Sequence, residues 1–376
     1  MEEWKQYRLA DILDRIIDYR GKTPNKVSSG VPLITAKIIK NGRIDTPSEF
    51  IAYEDYDSWM VRGLPEIGDV VLTTEAPLGE VAQLDNKDIA LAQRVVTLRG
   101  KAGLLDNTYL KYFLLSDVGK KRLKARETGT TVTGIKQSEL REVLIDCPPI
   151  ETQIRIADIL KSLDDKIDLN NRINHNLEQQ ADMYLWAMCQ SNSSKAQSLS
   201  NICCYVNEKC NSSILTPHNY ISTENMRPNR EGIVEALSIP NIKCTQYIYG
   251  DTLISNIRPY FKKIWFASQS GGCSNDILCF RSTCKTPSFL YHLLRSDNFF
   301  DFVMTGAKGS KMPRGDKNQI MTWQVPEVPP HVLSQIEGFL EKIDEQIVAK
   351  ATENCVLELT RNYLLPELLK ENSILN

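Results

Sequence analysis

The sequence predicts an α+β protein with two tandem mixed α/β domains, at 1–146 and 193–328. Two long helices, at 147–192 and 329–376, separate them and pair as an antiparallel coiled coil. Three observations predict this. The chain repeats itself in order at a nearly constant offset. Each copy mixes strand and helix signals. Each copy also ends in a proline pair followed by an apolar 4-3 periodicity.

The duplication is read segment by segment. IGDVVLTT (67–74) matches YGDTLISN (249–256), and IALAQRVVTLRG (89–100) lies opposite GGCSNDILCFRS (271–282), both at offset 182. TYLKYFLLSD (108–117) matches SFLYHLLRSD (288–297) at offset 180, and TGIKQSELREVLIDCPP (133–149) matches RGDKNQIMTWQVPEVPP (314–330) at offset 181. The copies close with PPIETQIRIADILKSLDDKI (148–167) and PPHVLSQIEGFLEKIDEQI (329–347). Each match is weak alone, but five in one order indicate an internal duplication.

Within each copy, β-branched and apolar runs after a Gly-Asp turn predict strands at Val70–Thr74 and Thr252–Ile257. Helical spacing marks Tyr109–Leu115 and Phe289–Leu294. SNSSKAQSLSN (191–201) is the strongest linker signal. The proline pairs end a strand and start a helix.

In 4-3 steps the first long helix presents Leu160, Leu163, Ile167, Asn174 and Leu177, and the second presents Leu340, Ile343, Ile347, Asn354 and Leu357. Both seams are apolar at the start and polar in the middle. Asn174 and Asn354 fall at equivalent positions, where a buried Asn fixes register at a cost in stability. The domain between the helices gives the chain room to return, so an antiparallel pair is expected. Roughly 35–40 residues per helix make a rod of about 50–60 Å, longer than one turn of B-form DNA at about 34 Å.

Composition sets outer bounds. The chain has 376 residues, 42% hydrophobic and 24% charged, typical of a soluble globular protein of two or three domains. It shows no transmembrane-length apolar run, and its charged N-terminus lacks a secretory core. A cytoplasmic location without membrane attachment is therefore expected. The ten cysteines include no CxxC pair and there are four histidines, so no metal site is expected. The net charge of −2 hides a division: the helical segments are acidic, whereas residues 196–326 hold 14 Lys+Arg against 9 Asp+Glu. For phosphate binding the distribution matters more than the total.

Catalytic motifs are missing. The proline pairs read Cys147-Pro148-Pro149-Ile150 and Val328-Pro329-Pro330-His331, without the Asn or Asp and the aromatic of an amino-methyltransferase loop. There is no phosphate-cradling glycine loop and no nucleophile elbow. His175, His218, His292 and His331 are isolated and read as ordinary surface or packing residues. No catalytic residue is expected.

Candidate nucleic-acid contacts fall at matching places. In the first copy they are Arg20, Lys22 and Thr23 in YRGKTP, then Thr73, Thr74 and Glu75 after the Gly-Asp strand, then Lys136 and Gln137 at the end of TGTTVTGIKQ. In the second copy they are Ser255, Asn256, Arg258 and Lys262, with Lys263 beside them. Lys308, Lys311, Arg314, Lys317 and Asn318 follow in TGAKGSKMPRGDKN. Glycine lets backbone approach phosphate, Lys and Arg neutralise it, and Thr, Ser, Asn, Gln and Arg can read base edges. For any one of these residues a solvated loop is the competing reading. GKKRLKAR (119–126) is more basic still, but its cations spread around a helix.

This ordered set resembles the specificity subunits of type I restriction–modification systems, over essentially the whole chain. GDVVLTTEAPLGEVA, GDTLISN, TGTTVTGIKQSEL and above all CPPIETQIRIADILKSLDDKI carry the resemblance. It implies two target-recognition domains that each read half of a split double-stranded DNA target, with a coiled coil setting the spacing. It implies a non-catalytic subunit without a cofactor of its own. Two methyltransferase subunits would use S-adenosylmethionine, and restriction/translocase subunits would join them. The second copy departs from the first: its glutamine stands five residues after the proline pair instead of four, NEKCN replaces RGKTP, and SNIRPYFKK replaces TTEAPLGEV. The rival expectation is a non-catalytic coiled-coil scaffold that recruits methyltransferases without reading sequence.

Overall fold

The computed structural model describes residues 4–129, 133–193 and 195–370. The strands shared by the two copies are β1 (Lys5–Arg8), β2 (Leu13–Asp18), β3 (Val70–Thr74), β4 (Leu78–Gln83), β5 (Val95–Gly100) and β6 (Leu144–Cys147). Their counterparts are β7 (Ala196–Ser198), β8 (Cys203–Tyr205), β9 (Thr252–Ser255), β10 (Ile264–Phe266), β11 (Ile277–Ser282) and β12 (Gln324–Pro326). The main helices are α1 (Asn107–Leu115), α2 (Asp117–Lys124), α3 (Ile150–Asn192), α4 (Pro287–Leu294), α5 (Asp297–Thr305) and α6 (Pro330–Leu368). The chain divides into two compact units, residues 1–168 with 354–376 and residues 169–353, so α3 and α6 contribute to both.

In the first unit a four-stranded sheet has the order β2-β5-β3-β4, and β1 pairs with β6. The second unit repeats this as β8-β11-β9-β10, with β7 paired to β12. The repeated topology is the structural form of the duplicated sequence. Smaller sheets are attached, from Val31–Ile34, Phe50–Ile51 and Ala90–Leu91 in the first unit, and from Lys209–Asn211, Tyr220–Ile221, Lys243–Tyr247 and Gly271–Cys273 in the second.

The Gly-Asp pairs have a specific job. Gly68 and Gly250 adopt φ of 91° and 86°, which favours glycine. The aspartates that follow are only 1% exposed. Asp69 accepts a two-pronged pair from Arg99 Nε and Nη2, both at 2.7 Å, and Asp251 accepts the same from Arg281 at 2.8 and 2.7 Å. Each carboxylate also takes a turn amide, from Glu66 and Ile248. The third donor of each arginine goes to Glu66 or Glu208. A turn, a strand start and the strand beside it are thereby locked by one planar fork.

The proline pairs dock helix starts. Gln153 accepts from the Asp106 amide at 3.0 Å and donates to the carbonyls of Leu104 and Pro148. This fixes the N-terminus of α1, which Asp106 caps through Tyr109 N. In the second unit Gln335 is exposed and does not take this place. Glu337 does, accepting from Ser288 N at 3.0 Å and Phe289 N at 2.8 Å at the start of α4. Three residues of extra helix return a side chain to the same face.

Within each unit the segments of α3 and α6 run antiparallel. In the first, Ile156, Ala157 and Leu160 share an apolar cluster with Leu368, and Asp164 accepts from Arg361 at 2.7 Å. In the second, Ala181, Leu185 and Cys189 share a cluster with Ile336, Leu340 and Ile343. There Asn170 donates to Glu353 at 2.9 Å, Asn174 donates to the Ile347 carbonyl at 3.3 Å, and the Tyr184 and Phe339 rings lie 4.0 Å apart. Of the predicted seam, Leu160, Ile167, Leu340, Ile343 and Asn354 are buried, and Leu163, Asn174, Leu177, Ile347 and Leu357 are half-buried.

A buried polar node joins helices and domain in each unit. Asp164 accepts from Tyr112 Oη at 2.7 Å and lies 3.5 Å from Lys111 Nζ. Burial raises its carboxyl, but Lys111, Tyr112 and Arg361 together hold it below its ordinary value. Tyr112 and Asp164, moved by 180, become His292 and Asp344. Read from the sequence as isolated, His292 is instead fully buried between two carboxylates, with Nε2 3.1 Å from Asp344 and Nδ1 3.3 Å from Asp182. Arg295 pairs with Asp182 at 2.6 Å and with Glu178 at 2.9 Å. Partners 52 and 110 residues away leave no local sequence signal.

Two outcomes follow from these contacts. Asp69→Asn and Asp251→Asn each leave a guanidinium short of its partner, and each should destabilise its own unit by about 3 kcal/mol, read as a lower urea midpoint. Burial lowers the His292 pKa, but hydrogen bonds to Asp182 and Asp344 outweigh it, and the folded value stands above the ordinary 6.5. Its stabilisation should be full below about pH 6.5 and lost as pH rises through the folded value. Urea titrations from pH 6 to 9 should show this decline in the wild type and a flatter profile in His292→Gln.

Candidate nucleic-acid interface

Each unit builds its candidate surface from a turn and a loop pinned together. In the first unit Glu75 and Thr128 both bridge to Gly134, and the Ile135 amide donates to the Thr74 carbonyl at 2.9 Å. In the second, Ile257 and Lys308 both bridge to Arg314, and the Arg258 amide donates to the Pro313 carbonyl at 2.8 Å. The turn after β3 or β9 therefore carries the loop that follows α2 or α5. Gly134 is required there, because a Cβ would lie 2.8 Å from the Thr74 carbonyl oxygen.

In the first unit the structure gathers Arg20, Lys136 and Gln137 around one cleft, together with Asp18 and Arg62. Arg20 is held by the Asp18 carboxylate, with Nε at 2.8 Å, and donates Nη1 to the Ile135 carbonyl. Arg62 Nη1 donates to the carbonyls of Asp18 and Arg20, both at 2.8 Å. Tyr19 supports the loop from below: it stacks on Trp59 at 5.5 Å, accepts from Arg62 N and donates to Gly63 O. Lys22, Thr23 and Lys136 are exposed, and Gln137 is half-buried. Arg62 was missed in the sequence. Its signal is a second Arg-Gly run, Arg62-Gly63-Leu64-Pro65, echoing Arg20-Gly21. Thr130, Thr131 and Val132 of the predicted TGTTVTGIKQ loop lie outside the described residues.

Four predicted contacts are corrected. Thr73, Thr74, Ser255 and Asn256 are 0%, 1%, 2% and 9% exposed, so their side chains face the interior. Thr73 Oγ1 accepts from Glu80 N, Thr74 Oγ1 donates to Arg94 O, and Ser255 Oγ donates to Ile257 O. They finish β3 and β9, and the polar residues after a buried strand serve the turn. Glu75, half-buried, pairs with Arg94 at 2.9 Å.

The second unit places more cations among its candidate contacts, and acids within the unit hold many of them. Lys262 pairs with Asp297 at 2.5 Å, and Arg230 shares that carboxylate. Hydrogen bonds from Lys262 and then Arg230 hold the Asp297 carboxyl down at about 2. Lys308 pairs with Asp316 at 2.8 Å and Arg314 with Asp276 at 3.4 Å. Lys317 sits 6.0 Å from the Tyr205 ring centroid, and the exposed Asn318 donates its amide to Asp316. Lys311 is exposed at the loop tip. Arg258 is half-buried with a φ of 50°. Among the described residues no group of three or more His, Cys, Asp or Glu could hold a metal ion, and no helix is long and apolar enough to cross a membrane.

Known proteins are similar to this chain in sequence over its first half and in fold over nearly its whole length. Residues 1–179 match the family model described as the type I restriction modification DNA specificity domain. The chain is 26% identical to the type I restriction enzyme MjaVIII specificity subunit of Methanocaldococcus jannaschii over 184 residues, 47% of this chain and 43% of that protein. It is 30% identical to the MjaIX specificity subunit of the same organism over 151 residues, 39% of this chain and 34% of that protein. These matches thus span less than half the length of the curated relatives. In fold it is similar to the type I restriction–modification system S subunit of M. genitalium, with a TM-score of 0.59 at 15% identity, over 98% of this chain and 96% of that one. Over residues 1–179 the chain is thus similar in sequence to the DNA specificity domain of type I restriction–modification systems, and over nearly its whole length it is similar in fold to one such S subunit.

Proposed function

We propose that this chain reads a bipartite, asymmetric sequence in double-stranded DNA, each unit contacting one half. The observation that carries this reading is the recurrence of one pinned turn-and-loop at matching positions of both units with different side chains on it. A shared scaffold with unlike chemistry is what two unlike half-sites require. In the first unit Arg20, Arg62, Lys136 and Gln137 form the contact surface, with Lys22 and Thr23 beside it. In the second, Arg258 and the loop from Lys308 to Asn318 form it. The antiparallel helices set the spacing between the halves.

The subunit is non-catalytic and acts in the cytoplasm. Two methyltransferase subunits supply the chemistry with S-adenosylmethionine, and restriction/translocase subunits join them. Lys262 contributes less to DNA binding than its sequence position suggests, because Asp297 already neutralises it.

Two measurements test this. Mapping methylated bases in a host genome with and without the gene should reveal one split motif. With the assembled methyltransferase complex on a duplex carrying that motif, Lys308→Ala/Lys311→Ala/Arg314→Ala and Arg20→Ala/Arg62→Ala/Lys136→Ala should each weaken binding. Each should also lower the slope of log affinity against log salt by about 1 to 3. Equal wild-type affinity for the motif and a scrambled duplex would overturn the reading in favour of a recruiting scaffold.

A further inference from the structure

The turn after β9 carries two aromatic side chains that the fold leaves in solvent. Tyr260 is 47% and Phe261 38% exposed, with ring centroids 4.7 Å apart. The turn is not slack. Arg258 and Lys262, on either side, adopt φ of 50° and 51°, a left-handed conformation that costs free energy outside glycine. Five backbone hydrogen bonds hold it: Arg258 N to Pro313 O at 2.8 Å, Phe261 N to Arg258 O at 3.0 Å, Lys262 N to Pro259 O at 2.8 Å, Asn229 N to Phe261 O at 2.8 Å, and Arg230 N to Lys262 O at 3.1 Å. The structure thus props an apolar tip outward where a single Gly would have relaxed the chain.

The surroundings choose the occupant. Residues 257–263, IRPYFKK, contain three cations and no acid, and the pinned loop adds Lys308, Lys311 and Arg314. Asp297, Asp316 and Asp276 pair with Lys262, Lys308 and Arg314, which leaves Arg258, Lys263 and Lys311 without an acid partner among the described residues. Arg258 Nε and Asn256 Oδ1, at the base of the turn, have no hydrogen-bond partner among the described residues. Aromatic faces flanked by cations suit a nucleic acid, whose bases stack and whose phosphates pair. In the first unit the corresponding turn is Ala76-Pro77-Leu78-Gly79, with no aromatic ring.

We propose that Tyr260 and Phe261 form a wedge that packs against the bases of the DNA half-site read by the second unit, unstacking one base step there. The first unit grips its half-site without such a wedge. Apolar side chains inserted at a base step are an established way for proteins to deform a duplex. This inference rests on the DNA-reading function proposed above. It adds a specificity determinant that senses how easily a step deforms, beyond direct contact to base edges.

The test uses the full chain assembled with its methyltransferase subunits, on duplexes carrying the mapped motif with 2-aminopurine placed in one half or the other. Wild-type binding should change the fluorescence of probes in the second half-site only. Tyr260→Ala/Phe261→Ala should abolish that change and weaken binding roughly tenfold or more, with an unchanged salt slope because no phosphate contact is lost. Tyr260→Trp should keep the signal, which guards against a misfolded double variant. Unchanged affinity and fluorescence in the double variant would overturn the wedge. So would loss of methyltransferase assembly with a normal melting transition, which would make the tip a protein-docking surface. A wild-type complex that does not distinguish the motif from a scrambled duplex would overturn the underlying reading and the wedge with it, before any variant is made.

Discussion

The structure depends first on a buried fork. An aspartate that is 1% exposed, Asp69 in one unit and Asp251 in the other, is held by both prongs of an arginine about 30 residues later. A carboxylate removed from water is costly unless fully hydrogen-bonded, and here the partner guanidinium and a turn amide satisfy it. The fork aligns the start of the central strand with its neighbour. The far end of that strand then delivers the turn on which the contact loop is pinned. The same constraint is written twice with the same residues, while the surface it supports is free to differ.

The long helices add a second constraint at their junction with each domain. An apolar seam alone would tolerate a slip along the heptad. The buried nodes do not, because Asp164 must meet Tyr112 and Arg361, and Asp344 must meet His292. The second unit replaces a tyrosine hydroxyl by an imidazole and adds Asp182 on its other side. One geometry is thereby held by a tyrosine hydroxyl and two cations around one carboxylate in the first case, and by an imidazole between two carboxylates in the second.

The candidate surfaces show how internal pairing limits what a cation can offer. A cation already neutralised by a neighbouring acid offers phosphate less than its charge suggests, since binding must compete with that pair. Asp297, Asp316 and Asp276 hold Lys262, Lys308 and Arg314 in this way. These pairs tie the loops to the rest of the unit. In the first unit Arg20 is likewise held by the Asp18 carboxylate, whereas Arg62 is tied to backbone carbonyls, which orient the guanidinium without cancelling its charge.

What the sequence determined by itself was everything carried by period and repetition: the two copies, the Gly-Asp strand starts, the proline-led helices and their antiparallel pairing. These patterns are local or recur at one offset, so they survive in a one-dimensional reading. Tertiary structure alone decided which polar residues face water and which cations stay free. Thr73, Thr74, Ser255 and Asn256 looked like contact residues but lie inside, because the strand they end is covered on both faces. Arg62 joined the cleft through carbonyls more than 40 residues earlier in the chain. Glu337 rather than Gln335 docks the second helix, because one added turn of spacing changes which side chain reaches the buried amides. Burial and ion pairing are settled by neighbours in space, and those neighbours are set only when distant segments fold together.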